Sequence, residues 1–481
     1  MSLQRQIAHN SIAQIIGKGL STALGVVAVM LMTRALGTEK FGWYITATGF
    51  LQFAGLLSDF GFTVVAASML SEPRFEKKHL YNSFFTWRFI TALIANILTP
   101  LIILFFPYSI EIKIATAVLA LSFFCIYLTQ IFTAYYQVKL KMHIQVTGEV
   151  LGRLALVIGI FLLARGNSVF MPVIIAVTLA SVINTIYLWW KSEPVKFYFD
   201  KEISKAIWHK MWPVALSVIF NAFYLQGDKV ILPLFASQSE VGIYGAASRV
   251  VESIIPIPAL LMGMMLPLIT YSWSRGDTAN FRQRLQWGFN LISLCLLPIT
   301  AGTVILAGPI MKFVAGQQFA GSGIFLAILG WKMIGISFGM VFGHVLLAMG
   351  KQKKYLWIFL SDAILSTIGF IIFIPRYGAI GASYVSLFSE IYAGIFLFIM
   401  SGYYARFIPH WGAWIKIALS STVMGTIVYY LQPMNILVSI AIGAAVYTIC
   451  ILATGVVSRQ MLKEILRVKK IEAESPTESI V

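Results

Sequence analysis

Eight cations and six carboxylates fall inside long apolar stretches of this 481-residue chain. The cations are Lys18, Arg34, Arg88, Arg153, Lys229, Arg249, Lys332 and Lys416, and the carboxylates are Asp59, Glu149, Asp228, Glu252, Asp362 and Glu390. A charge at the centre of an apolar helix costs about 2.5–3.5 kcal/mol on insertion scales, so such groups face a partner, a watery cavity or a ligand. The positive surplus suits an anion, because guanidinium and ammonium groups give charge-assisted hydrogen bonds to phosphate oxygens. On that ground Lys18, Arg88, Arg153, Lys229, Arg249 and Lys332 are candidate binding cations. Asp59, Asp228, Glu252 and Glu390 are candidate coupling or gating carboxylates. Helical rise puts Asp228, Lys229 and Arg249 roughly 10–12 Å from one end of their runs, which predicts an Asp228–Arg249 pair. Lys18, Arg88 and Arg153 lie roughly 10–12 Å from the other end, with Asp59 deeper, which predicts a second station.

Plainer roles compete with these. Glu149 and Arg153 are spaced i, i+4, and Arg249 and Glu252 i, i+3, so each pair could neutralise itself on its own helix. Lys416 and Lys18 could snorkel to the interface, and Arg34 could anchor a helix end. Any of the acidic groups could sit in a structural salt bridge. Gly335, Gly339 and Gly343, four residues apart, suit close helix packing. Pro256, Pro258, Pro267 and Pro298 are candidate kinks. His344 reads as a packed residue before it reads as a switch.

The elements that hold these charges follow from composition. Hydrophobic residues make up 59% of the chain and charged ones 11%, and mean hydropathy is +0.83, so lipid is the solvent for most of it. Lipid offers no partners to backbone amides, and the runs are too long and too uniformly apolar for barrel strands. Helices result. The net charge of +17 comes from short basic clusters between apolar runs rather than one soluble patch, which excludes a nucleic-acid partner. Cys125, Cys295 and Cys450 lie in separate runs without metal-type spacing, so neither a disulfide framework nor a metal site is expected. Gly350-Lys351 lacks the upstream glycine and following hydroxyl of a phosphate loop, and neither His-Glu-x-x-His nor G-x-S-x-G occurs. No enzymatic role or cofactor is expected; coupling to H+ or Na+ stays open.

About fourteen apolar runs, from 11–34 to 434–457, predict an all-α polytopic membrane protein. Alternate loops, with the two termini, carry 23 of the basic residues, against five in the opposite loops: Lys40, Lys113, Arg165, Lys312 and Arg376. The positive-inside rule then places both termini in the cytoplasm of a cell-membrane protein. A lysine-rich connection over 191–210, with Phe197, Tyr198, Phe199, Ile203, Ile207 and Trp208, reads as an amphipathic stretch on the inner face. It follows six spans. The organisation expected is a six-helix lobe with its linker over 1–205, a second over 206–405, two further helices over 406–457, and a basic amphipathic, then disordered, tail over 458–481. An internal repeat supports it: Gly42 and Tyr44 recur as Gly242 and Tyr244, and Lys139, Lys141 and Gly166 as Lys351, Lys353 and Gly378. Two lobes of equal orientation favour alternating access.

Five strings carry a resemblance: TRALGTEKFGWY (33–44), SDFGF (58–62), DKVILPLFASQSEVGIYGAASRV (228–250), AMGKQKK (348–354) and PRYGAIGASYVSLFSE (375–390). In order and spacing, the chain resembles the polysaccharide transport family of the multidrug, oligosaccharidyl-lipid and polysaccharide superfamily, which includes Wzx-type flippases. The resemblance implies two six-helix lobes around a polar cavity for a lipid-pyrophosphate-linked oligosaccharide. Membrane lipid, polysaccharide polymerase and assembly machinery are the implied partners. One rival is an organic-cation antiporter of the same superfamily, whose cavity would be net acidic. The other is a membrane enzyme acting on lipid-linked sugars, which would want a large acidic loop.

Overall fold

The apolar runs close their backbone hydrogen bonds on themselves. In the computed structural model, which describes residues 3–70, 75–139, 141–163, 169–431 and 435–456, the chain forms fifteen α-helices, with no strand among the described residues. Arg74, Arg165, Gly166 and the tail from Arg459 lie outside them. Among the described residues eleven segments are long and apolar enough to cross a membrane, so this is an all-α polytopic membrane protein. Two of them, Ile16–Asp59 and Lys353–Ala405, hold 44 and 53 residues. Straight helices of that length would run about 65 and 80 Å, over twice the roughly 30 Å of hydrocarbon. Each bends at a glycine in the left-handed region, Gly37 (φ 69°) and Gly378 (φ 55°).

The chain separates into two compact units, Met1–Gly245 and Ala246–Val481. The first holds α1 (Leu3–Asp59), α2 (Phe62–Leu70), α3 (Lys77–Ile102), α4 (Ile110–Val138), α5 (Met142–Leu163), α6 (Phe170–Lys191), α7 (Lys201–Phe235) and the start of α8 (Gln238–Ile254). Helix α7 packs against α1, and so joins this unit. The chain breaks where Phe60 and Gly61 take positive φ, separating α1 from α2. A core of Phe62, Phe84, Phe132, Tyr136, Ile207 and Met211 fills one end of the unit. The second unit continues with α9 (Pro256–Ser274), α10 (Thr278–Ile305), α11 (Ala307–Ala315), α12 (Ser322–Ala348), α13 (Gln352–Ala405), α14 (Trp411–Tyr430) and α15 (Ile436–Thr454). Its core gathers Met262, Phe281, Phe289, Phe342 and Val345. Pro256 opens α9, where its missing N–H costs nothing. Pro267 and Pro298 lie inside α9 and α10.

The amphipathic stretch after α6 divides into two parts. Residues 192–200 run without helix along α3, and the amphipathic residues from Lys201 onward are the first turns of α7. The reason is a match of repeats. Two extended residues cover about 6.6 Å and four helical ones about 6 Å. Accordingly the Lys196 amide donates to Asn82 Oδ1 at 3.1 Å and the Tyr198 amide to Thr86 Oγ1 at 2.9 Å. Tyr198 stacks on His79, and Phe197 packs on Phe85 and Phe89. Asp200 then caps α7, accepting from the Ile203 amide at 2.8 Å. Asn82→Ala and Thr86→Ala each orphan one strap amide and are expected to cost about 1 kcal/mol. Faster protease cleavage between 192 and 200 in the full-length protein is the readout.

Candidate functional site

Helix α1 presents Lys18, Ser21 and Gly25 on one face, at i, i+3 and i+7, and α5 presents Gln145, Glu149 and Arg153 at four-residue spacing. Glycine lets the two helices close: a Cβ on Gly17 would fall 1.9 Å from Val146 Cγ1. Glu149 becomes the hub. Its Oε1 accepts from Lys18 Nζ at 2.9 Å and Ser21 Oγ at 2.8 Å, and its Oε2 from Lys18 Nζ at 3.1 Å and Gln145 Nε2 at 3.4 Å. One turn on, the exposed Arg153 lays its guanidinium on Gly25, where a Cβ would be 3.6 Å from Cζ. Lys18 keeps 36% of its side chain exposed and Glu149 19%. Two cations with exposed surface thus flank one carboxylate, a net charge of +1 able to take an anion.

Arg88 is elsewhere. It is 0% exposed, and its donors turn inward: Nη1 to the Ser58 carbonyl at 3.0 Å, Nη2 to Gln130 Oε1 at 2.5 Å, Nε to the Tyr127 carbonyl at 3.3 Å. Asp59 Oδ1 lies 3.1 Å from Nη2, and the Phe62 and Tyr127 rings flank the guanidinium. Asp59 also accepts from the Gly61 amide at 3.2 Å. This ion pair stitches the break between α1 and α2. The structure therefore brings Lys18 and Arg153 together and leaves Arg88 and Asp59 out of their station.

Asp228 and Lys229 are both buried. Asp228 Oδ2 accepts from the Tyr244 hydroxyl at 2.5 Å and Oδ1 from the Lys229 amide at 2.9 Å, while Lys229 Nζ donates to Gln226 Oε1 at 2.8 Å. Asp228 so has a partner in the repeated tyrosine. Shifted back by the repeat, its position is Ala28, so the first copy has no such carboxylate. The repeat itself meets in space. A Cβ on Gly42 would fall 1.7 Å from the Gln238 carbonyl oxygen, and one on Gly242 would fall 1.9 Å from that of Thr38. Thr38 and Gln238 are themselves equivalent, so the contact is reciprocal. Ser239 Oγ donates to Thr38 Oγ1 at 2.8 Å, and Thr46 Oγ1 to Gln238 Oε1 at 2.8 Å.

In the second unit Arg249 Nη1 donates to Glu252 Oε2 at 3.1 Å on the same helix, as the spacing allowed. Lys332 Nζ lies 3.9 Å from Glu390 Oε1, with both groups mostly buried. Next to Glu390, Ser389 Oγ donates to Asp362 Oδ1 at 2.8 Å. Asp362 is 0% exposed, and its Oδ2 has no hydrogen-bond partner. Residue types alone marked Asp362 as a charge at depth without ranking it as a site, because its isolation is a tertiary fact. Of the glycine stripe, only Gly335 is closely packed: a Cβ there would fall 2.4 Å from the Glu390 carbonyl, whereas Gly339 has nothing within 4 Å. His344 Nδ1 is 2.6 Å from the Met340 carbonyl oxygen, a packed role. Among the described residues no group of His, Cys, Asp or Glu could hold a metal ion.

The family model described as polysaccharide biosynthesis protein matches residues 7–273, a stretch that includes Lys18, Glu149, Arg153 and Asp228. The curated "Probable low-salt glycan biosynthesis flippase Agl15" of Haloferax volcanii is 22% identical over 395 residues, 81% of each chain. Among solved structures, lipid II flippase MurJ in its inward closed conformation superposes with a TM-score of 0.75 at 18% identity, over 92% of this chain and 98% of that one. An inward-facing multidrug resistance MATE family transporter of the MOP superfamily gives 0.63 at 14%, over 82% and 98%. These similarities establish a shared fold.

Proposed function

The chain belongs to the polysaccharide biosynthesis protein family, and from that premise we propose that it is a flippase carrying a lipid-linked oligosaccharide from the cytoplasmic to the outer leaflet. Fourteen crossings, with both termini cytoplasmic, accommodate the basic-residue count and the two doubled helices, with α7 as the crossing that Asp228 and Lys229 make too polar for the eleven. Transport runs by alternating access. The observation that carries the reading is the Lys18–Glu149–Arg153 cluster: two cations with exposed side-chain surface, held against one carboxylate, where a diphosphate can replace that carboxylate. Lys229, Arg249 and Lys332 hold partners that a passing anion would have to displace. Any H+ or Na+ coupling belongs with Asp362 and Glu390: Asp362 is fully buried with no cation within ion-pair distance among the described residues, and Lys332 stands 3.9 Å from Glu390, beyond hydrogen-bond reach.

Two results test it. Deleting the gene is expected to remove the surface polysaccharide and leave its lipid-linked precursor in the cytoplasmic leaflet. Unchanged glycans with altered resistance to organic cations would instead favour the antiporter, whose fold is the same. At the cluster, Glu149→Gln frees Lys18 from its ion pair. It is expected to bind a polyprenyl diphosphate roughly tenfold more tightly while turning over more slowly. Lys18→Gln with Arg153→Gln is expected to weaken that binding roughly tenfold or more, measured on purified protein in detergent.

A further inference from the structure

In the second unit the first turns of α10 and the connection from α13 to α14 border a half-open cavity of about 480 Å³. Arg282, Gln283, Trp287, Arg406 and His410 line it, and no carboxylate does. Neither arginine has an ion-pair or hydrogen-bond partner among the described residues, although both are exposed. The neighbouring Arg284, by contrast, donates to the Leu268 carbonyl at 2.6 Å and Ser272 Oγ at 2.7 Å. The cavity is built, not incidental. Gln286 holds the connection with both ends of its amide, donating to the His410 carbonyl at 3.2 Å and accepting from the His410 amide at 2.7 Å.

Arg406 adds an independent sign. It follows the last turn of α13 with φ 48° and ψ 44°, the left-handed conformation that glycine adopts without strain at helix ends. Arginine at such a position keeps its side chain at a conformational cost, and strain of this kind collects at ligand sites. Ile408, which also lines the cavity, exposes apolar surface, as residues do at a bilayer edge, and this end is the one the basic-residue count assigns to the cytoplasm.

We propose that this cavity binds the phosphate-bearing headgroup of an anionic membrane lipid, held between the guanidinium groups of Arg282 and Arg406. Two unpaired cations without a counter-ion, next to apolar surface, match a phosphodiester attached to acyl chains better than a soluble anion. The site is separate from the Lys18–Glu149–Arg153 cluster, and its test does not depend on what the chain transports.

The test uses the full-length protein in a neutral detergent, with native mass spectrometry to count bound cardiolipin and thermal unfolding to read its effect. Wild type is expected to retain cardiolipin and to gain in Tm with it, but not with phosphatidylcholine. Arg282→Gln with Arg406→Gly is expected to bind it roughly tenfold more weakly. Glycine suits the left-handed position, so this variant's lipid-free Tm is expected to be no lower than the wild type's, which separates lost binding from lost folding. Lys353→Gln with Lys354→Gln, exposed cations outside the cavity, is expected to behave as wild type. Retention of the full Tm gain in the arginine variant, or equal loss in the lysine control, overturns the proposal. A full gain from inorganic pyrophosphate alone would assign the cavity to a soluble anion and overturn its assignment to lipid.

Discussion

Replacing Arg88 with alanine is expected to destabilise the first unit by about 3–5 kcal/mol, the usual penalty for leaving a buried charge without its partner. Asp59 would keep only the Gly61 amide, and the carbonyls of Ser58 and Tyr127 and the amide of Gln130 would lose a donor together. Phe60 and Gly61 sit at positive φ in the break between α1 and α2, and Arg88 ties that break to the Tyr127 carbonyl and Gln130 on α4. Thermal unfolding of the purified variant, alongside its yield in membranes, measures the effect. The paired change Asp59→Asn with Arg88→Met removes both charges and is expected to recover about half or more of the loss, since apolar replacements of buried ion pairs are often tolerated. A single variant of wild-type stability would mean that the pair does not hold the break.

Gly42→Leu and Gly242→Leu are expected to be equally severe. The first added carbon would lie 1.7 or 1.9 Å from a backbone carbonyl oxygen, where no side chain can give way, so the seam between the equivalent segments must part. Overpacking ordinarily costs about 1–3 kcal/mol, and a clash with backbone belongs at or above the upper end. Even Gly42→Ala should abolish the hydrogen bonds of Thr46 to Gln238 and of Ser239 to Thr38. Gly339→Ala, with nothing within 4 Å, is the control and is expected to stabilise α12 slightly. Cysteines placed at Thr38 and Ser239, whose hydroxyl oxygens lie 2.8 Å apart, should form a disulfide in the wild-type background and not beside Gly42→Leu.

Much of this was readable from residue types, and the reason is the solvent. Lipid forbids unpaired backbone and penalises charge, so apolar runs, their basic punctuation and the repeated Gly-x-Tyr announce themselves in one dimension. Which face of a helix a charge occupies does not. Lys18 and Glu149 are 131 residues apart, and the i, i+4 spacing to Arg153 pointed only to a local pair, yet Lys18 supplies the closest cation. Arg88 and Arg153 looked alike by type and depth; one is sealed against Asp59 and the other is exposed. The connection over 191–210 read as a single amphipathic stretch from its lysines and aromatics, and its division into a strap over 192–200 and the first turns of α7 was not visible. Its fate turned on Asn82 and Thr86, more than a hundred positions earlier.

The most direct measurement of the central claim is translocation by the purified protein in vesicles. A polyprenyl-diphosphate oligosaccharide would be placed in both leaflets, and the share reached by an externally added glycan-cleaving enzyme followed in time. The account predicts that the inner pool becomes accessible with wild-type protein, and at the rate of protein-free vesicles with Lys18→Gln plus Arg153→Gln. Folded wild-type protein that leaves the inner pool as inaccessible as empty vesicles do, or a charge-neutralised variant that flips at full rate, would contradict it.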